Sequence, residues 1–302
     1  MSTPVATPPA VPGQELIAKA PPPPPRPATS NAVLARTVRY GLLIFFVLIV
    51  LLPAYVLIVT SFKSGREIGV NGQWDLPEQW TVASWAKAWA ALGPSFLRTF
   101  ELAIPVAIIS SVIGAANGFV LARWRFPGAD VVFTLILFGM FIPYQAVMIP
   151  LREIVRWMEV PSGVPTLILV HTIYGIPICT LIFRNYYATV VPIDIIEAGQ
   201  IDGAGLLRMF WSIILPISIP GFVVTIIWQF TSAWNDYLFA IFLSNTRNGP
   251  ITIALNALAG AQSPDYAASM AGALITSLPT LLVYVLLGRW FIGGLMAGSV
   301  KS

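Results

Sequence analysis

Charge is what this 302-residue sequence has least of. Asp, Glu, Lys and Arg make up 10% of it, against about 25% in an ordinary soluble domain. That is too little polar surface to coat a water-soluble globule. With 57% hydrophobic residues and a mean hydropathy of +0.79, the chain reads as an all-α, multi-span membrane protein. Cysteine is also nearly absent: Cys179 stands alone, which excludes an intramolecular disulfide and any multi-cysteine metal site. There is no G-x-x-x-x-G-K-[ST] loop and no Ser/His/Asp, Cys/His or metal-ligand constellation, so no nucleotide, metal or nucleophilic catalysis is expected on this chain. A pI near 9.3 would suit a nucleic-acid binder. The positive charges, however, are dispersed between apolar runs, where membrane orientation accounts for them.

Six stretches are free of Asp, Glu, Lys and Arg: Tyr40–Phe62, Leu102–Ala122, Val131–Leu151, Val160–Phe183, Met209–Asn235 and Tyr266–Gly288. A helix crosses hydrocarbon with about 20 apolar residues. Six transmembrane helices follow, at about residues 40–62, 102–122, 131–151, 164–183, 214–235 and 267–288. Tyr237–Ser244 is too short to span and reads as a re-entrant or interfacial segment. With cytoplasmic termini the inner segments hold ten Lys and Arg and the outer ones, Lys63 among them, hold seven. Arg36 and Arg39, before the first span, and Arg123 and Arg125, after the second, strengthen that bias. Both termini are therefore expected in the cytoplasm.

Ten of the 26 prolines fall in the first 30 residues, including Pro21–Pro25. Residues 1–35 are expected to be a disordered, solvated tail; a proline-rich ligand is the alternative reading. Residues 36–302 form the membrane domain. Trp74, Trp80, Trp85 and Trp89 fit an interfacial aromatic layer or a partner contact. Intramembrane carboxylates and ammonium groups, which ion-coupled carriers use, are missing from all six runs. His171 is the one titratable group inside them, read as a hydrogen-bonded packing residue, with a proton relay as the alternative.

The connection between the fourth and fifth spans is the informative one. Pro192 suits a first helical turn, Asp194 and Glu197 complement its positive end, and Ile193, Ile196 and Ile201 supply a short apolar stripe. Gly203 and Gly205 then permit a turn. The expected outcome is a short exposed helix, a glycine bend and a second helix entering the membrane. In the fifth span Trp228, Thr231, Ser232 and Asn235 fall at i, i+3, i+4 and i+7, on one face. Aromatic, hydroxyl and amide groups together suit a sugar; bonding to neighbouring helices is the other reading. Gly114, Gly118 and the prolines of the spans are expected to serve packing and bending.

Glu197-Ala198-Gly199, three residues, then Gly203, with Ile213 and Pro216 beyond, resembles the E-A-A loop of permease subunits of bacterial ATP-binding-cassette importers. Asp202-Gly203-Ala204 looks like the sugar-importer branch; Gly199 departs from the pattern's second Ala. Ala122–Gly128 resembles the turn after the family's second core helix. Arg289–Lys301 resembles the tail of the smaller, six-span permease of maltose-type systems.

The resemblance implies a type I importer permease fold in a bacterial inner membrane and a subunit that is not an enzyme. It implies a mono- or disaccharide substrate, a second permease (a heterodimer), two ATPase subunits carrying ATP and Mg, and an external sugar-binding protein. No cofactor or metal is expected on this chain, and no nucleic acid. Residues 184–213 become the cytoplasmic coupling loop, with Glu197, Ala198, Gly199, Asp202, Gly203, Ala204 and Pro216 meeting the ATPase. Residues 289–302 become a cytoplasmic tail, with Gly293, Gly294, Gly298 and Lys301 reaching it too. A self-sufficient secondary carrier of small solutes is the competing function.

Overall fold

A computed structural model of the protein describes residues 30–124, 126–260 and 265–296. Among them every regular element is helical. In chain order these are α1 (Ser30–Ser61), α2 (Gly65–Asn71), α3 (Ala83–Arg123), α4 (Ala129–Phe138), α5 (Tyr144–Trp157), α6 (Val164–Val190) and α7 (Ile193–Ile201). There follow α8 (Leu206–Met209), α9 (Leu215–Ile217), α10 (Ile219–Asn235), α11 (Leu238–Leu243), α12 (Ile251–Ala259) and α13 (Tyr266–Met296). The chain divides into two units within α1: one ends at Leu52 and the other, from Pro53 onward, holds everything described below. Pro21–Pro25 and the rest of the tail to residue 29 lie outside the described residues.

Among the described residues four helices are long and apolar enough to cross a membrane, and two bent pairs bring the number to six when each is taken as one span. The runs expected to span at 131–151 and 214–235 are the two bent pairs. Ala129–Phe141 and Tyr144–Trp157 meet at 99°, because Pro143 has no N–H to continue the ladder and Ile142 before it takes an extended ψ of 119°. Leu206–Ile217 and Ile219–Asn235 meet at 81°, where Pro216 and Pro220 flank Ser218. A turn of π-helix, Phe210–Ile214, precedes that break. The 17 residues of α10 extend about 25 Å.

The second span is longer than its charge-free run: α3 has 41 residues and carries Lys87, Arg98 and Glu101 in its first half. Within the segment expected at 184–213, α6 continues to Val190, α7 follows from Ile193 and α8 begins at Leu206. The last helix runs on to Met296, so Gly293 and Gly294 are helical. Gly298 and Lys301 lie outside the described residues.

The core is organised by α3 and α6. Gly114 and Gly118 form a G-x-x-x-G step on α3, and a Cβ on Gly114 would meet Cys179, one on Gly118 Phe183 and Arg184 N at 2.7 Å. Small residues there let the backbones touch, which drives helix association where lipid removes the hydrophobic gain. Ser110, Ser111 and Thr180 are buried in the same seam. Fully buried Trp234 of α10 meets Phe100 edge to face at 4.7 Å and donates its indole N–H to Thr276 O of α13 at 2.9 Å. Thr99 Oγ1 accepts the Ile251 N–H at 2.8 Å, seating the start of α12 on α3.

Lys63, counted among the outer charges, is fully buried instead. Its ammonium donates to Gly72 O at 2.9 Å, so the group serves as a staple beneath α2. Lys87 of α3 pairs with Asp265 at 2.9 Å before α13. Burial pushes the Asp265 carboxyl up, but the Ala268 N–H and Lys87 outweigh it and hold the group below the ordinary carboxylate value.

Candidate functional site

Two places gather functional groups, at opposite ends of α6 and α10. The first is built on α7. The segment closes with paired bonds: Gly203 N–H donates to Gln200 O at 3.0 Å and Ala204 N–H to Gly199 O at 2.9 Å. This is the Schellman ending of a helix, which needs a left-handed residue at its turn. Gly203 supplies it, with φ +76°. Nothing lies within 4 Å of a Cβ built there, so the demand for glycine is conformational alone.

Gly199 is small for a different reason. It is buried, and a Cβ on it would stand 2.6 Å from Met209 Cε and 3.1 Å from Ile213 Cδ1. Together with Ile196 it seats α7 on Met209, Phe210 and Ile214, which join Phe119, Phe183 and Tyr187 in one cluster. The structure therefore places Gly199 against its own chain. Glu197, Ala198, Asp202 and Gly203 are exposed and Ala204 is half-buried. Pro216 is exposed at the turn from the α7–α8 segment into α10. Of the expected apolar stripe only Ile196 is buried; Ile193 and Ile201 face outward, as does Ile195.

Sequence reading missed the tie that holds this segment. Arg123, the last residue of α3, donates through its guanidinium to Tyr187 O at 2.7 Å and to Ala188 O at 3.2 Å. It also donates to Val191 O at 2.5 Å. A cation on the orphan carbonyls of α6 is favourable at that negative helix end. The same residue borders a recess of about 350 Å³ with Trp124, Glu197 and Gln200.

The second place is a cavity of about 670 Å³ near the far end of α10. Of the four residues expected on one face, Trp228, Ser232 and Asn235 line it. Thr231 does not: its carbonyl accepts from Asn235 Nδ2 at 3.0 Å and its Oγ1 is buried without a partner. Tyr144, Tyr174, Gln229, His171 and Asp236, none of them singled out from sequence as pathway residues, complete the wall. Asp236 caps α11, accepting the Phe239 N–H at 3.3 Å and the Ala240 N–H at 3.0 Å. An Asp two residues before that apolar segment was the available signal. Gly175 opens room for Gln229, whose amide occupies the space a Cβ would take. No cluster of three His, Cys, Asp or Glu side chains that could hold a metal occurs among the described residues.

A bundle with two bent spans, a docked surface helix between its fourth and fifth spans and a polar cavity beside them is a transport architecture. Its fold matches a solved bacterial ABC transporter that imports the acidic polysaccharide alginate, with a TM-score of 0.75 over 87% of this chain and 98% of that one, at 20% identity. Residues 114–293 match the family of binding-protein-dependent transport system inner membrane components, and the chain belongs to that family. A probable ABC transporter permease of Pyrococcus horikoshii is 37% identical, over 88% of this chain and 98% of its own length. The xylose/arabinose import permease of Haloferax volcanii is 33% identical over 87% and 92% respectively. The protein is thus a multi-pass inner-membrane permease component of an ABC importer, which works with a partner permease, an ATPase and a substrate-binding protein.

Proposed function

We propose that this chain forms half of the translocation pathway of an ATP-driven, binding-protein-dependent sugar importer, paired with a different permease and two ATPase subunits. ATP and Mg belong to the ATPases, and this chain binds no cofactor. Both its termini face the cytoplasm, on the Lys and Arg bias of the inner segments. The sugar assignment draws on the Asp202-Gly203-Ala204 string, on the aromatic and polar cavity, and on relatives such as the xylose/arabinose permease.

The observation that carries the coupling role is the division of α7 into two faces. Ile196 and Gly199 clamp it to a cluster shared with α3 and α6, while Ile193, Ile195, Ile201 and Glu197 point away from the chain. Apolar side chains presented beside a carboxylate, on a rigidly held helix, suit a protein partner. Glu197 offers its charge to a basic ATPase surface; Ala198 lets that surface approach. The turn through Asp202, Gly203 and Ala204 and the bend at Pro216 carry movement into α10. Gly293, Gly294, Gly298 and Lys301 extend the same contact from the C-terminus. Partner association must favour one transmembrane state differentially, or it moves nothing; a lever packed on α3 and α6 meets that condition.

Glu197→Lys tests the reading in reconstituted vesicles holding the whole complex. The expected result is loss of ATPase co-purification and of sugar-stimulated hydrolysis, with the spans still inserted, because reversed charge at a complementary surface costs several-fold to many-fold in affinity. Intact association and stimulation would overturn it. Sugar uptake without the ATPase would favour a secondary carrier instead.

A further inference from the structure

His171 is the chain's only histidine. It is buried to 6% exposure, and its Nε2 has no hydrogen-bond partner. Asp236 Oδ2 lies 3.3 Å from that nitrogen, out of line for a hydrogen bond. Both side chains stand in the wall of the 670 Å³ cavity. Each is held from behind: the His171 ring meets Phe239 edge-on at 5.4 Å, and the Asp236 oxygens accept the Phe239 and Ala240 amides. A buried polar atom without a partner is costly, and native proteins keep one where something arrives to satisfy it.

We infer that His171 and Asp236 together bind one hydroxyl of the transported solute, making this chain a substrate-reading half of the pathway. A hydroxyl both donates and accepts. Facing both groups from the cavity side, it gives its proton to the Asp236 carboxylate and takes a hydrogen bond from the imidazole N–H, so both are satisfied at once. Asp236 is the only Asp, Glu, Lys or Arg in the cavity wall among the described residues, which disfavours an anionic solute. Tyr144, Tyr174 and Trp228 add ring faces for the C–H surface of a sugar. The cavity falls within the roughly 300–1,000 Å³ of small-molecule sites. None of these features involves the α7 surface, yet the inference rests on the sugar-importer reading above.

The test uses the complete reconstituted complex with D-glucose, D-xylose and maltose, and monodeoxy analogues of whichever sugar moves. Each is supplied as the saturated complex of the external protein, which removes that protein's own preference. In the wild type one deoxy analogue is expected to lose about tenfold or more in uptake kcat/KM. In His171→Phe, which keeps a ring against Phe239, that gap collapses: parent and analogue move alike. Asp236→Asn retains an oxygen for the α11 amides and gives the same collapse if His171→Phe fails to assemble. A site built to bond a hydroxyl discriminates strongly against its absence, whereas a merely structural role lowers both sugars equally. A gap preserved in assembled variants overturns the inference and leaves the importer reading intact. A wild type that moves none of the three sugars overturns both.

Discussion

Replacing Gly203 separates a backbone demand from a steric one. The residue sits at φ +76° with no atom within 4 Å of an added Cβ, so all the strain of a substitution comes from the left-handed conformation. Alanine there costs about 1 kcal/mol and a β-branched residue about 2 kcal/mol, while asparagine costs a few tenths. One to two kcal/mol is a factor of about 5–30 in an equilibrium. That strain loosens the turn that holds Ala204 N–H on Gly199 O, and with it the angle between α7 and α8. The order of function is therefore Gly, then Asn, then Ala, then Val. The measurement is ATPase co-purification together with uptake per ATP hydrolysed in vesicles. If Ala matched the wild type while Asn, the larger residue, failed, the requirement would be for size, and the conformational argument would be wrong.

At Gly199 the order is expected to follow size instead, Gly before Ala before Val, because a Cβ there meets Met209 and Ile213. Gly199→Val should destabilise the seat of α7 by about 1–3 kcal/mol through overpacking, read as lower thermal stability of the solubilised complex. Met209→Ala should relieve part of it in the double variant. At Asp265 the native carboxyl lies below its ordinary 3.8. As pH falls the unfolded chain therefore takes up the proton first. The stabilisation is whole above the ordinary value and gone below the native one. Asp265→Asn should accordingly lower thermal stability at pH ~7, and its gap to the parent should narrow as pH falls below the ordinary carboxylate value. The effect will be small, since Lys87 is two-thirds exposed and solvent screens the pair.

Composition and the placement of charge were enough to declare a multi-span helical membrane protein. A bilayer tolerates only backbone that is satisfied internally, and an uncharged run of 20 residues has few other fates. The helix at 193–201 and its glycine turn were legible too, because Pro192 and Gly203 act through local backbone geometry. Those are short-range effects, written where they act. The bends at Pro143 and at Ser218 were less legible, since a proline inside an apolar run kinks a helix or breaks it according to what neighbouring helices can cover. Gly203 was legible as the turn residue, but what Gly199 packs against was not. Only the structure distinguished Gly199, crowded by Met209, from Gly203, which touches nothing.

The cavity depended on tertiary structure most of all. Trp228, Ser232 and Asn235 share a face by helical period alone, but His171 lies on α6 and Asp236 in the turn after α10, 65 positions apart in the numbering. Their 3.3 Å approach is decided by how α6 and α10 close on α3 at glycine and serine contacts. Arg123 likewise reads as an orienting positive charge until folding brings three carbonyls at the C-terminal end of α6 within its reach. Periodicity and local conformation reside in neighbouring residues. The pairing of distant polar groups resides in the packing of helices, which no window of sequence contains.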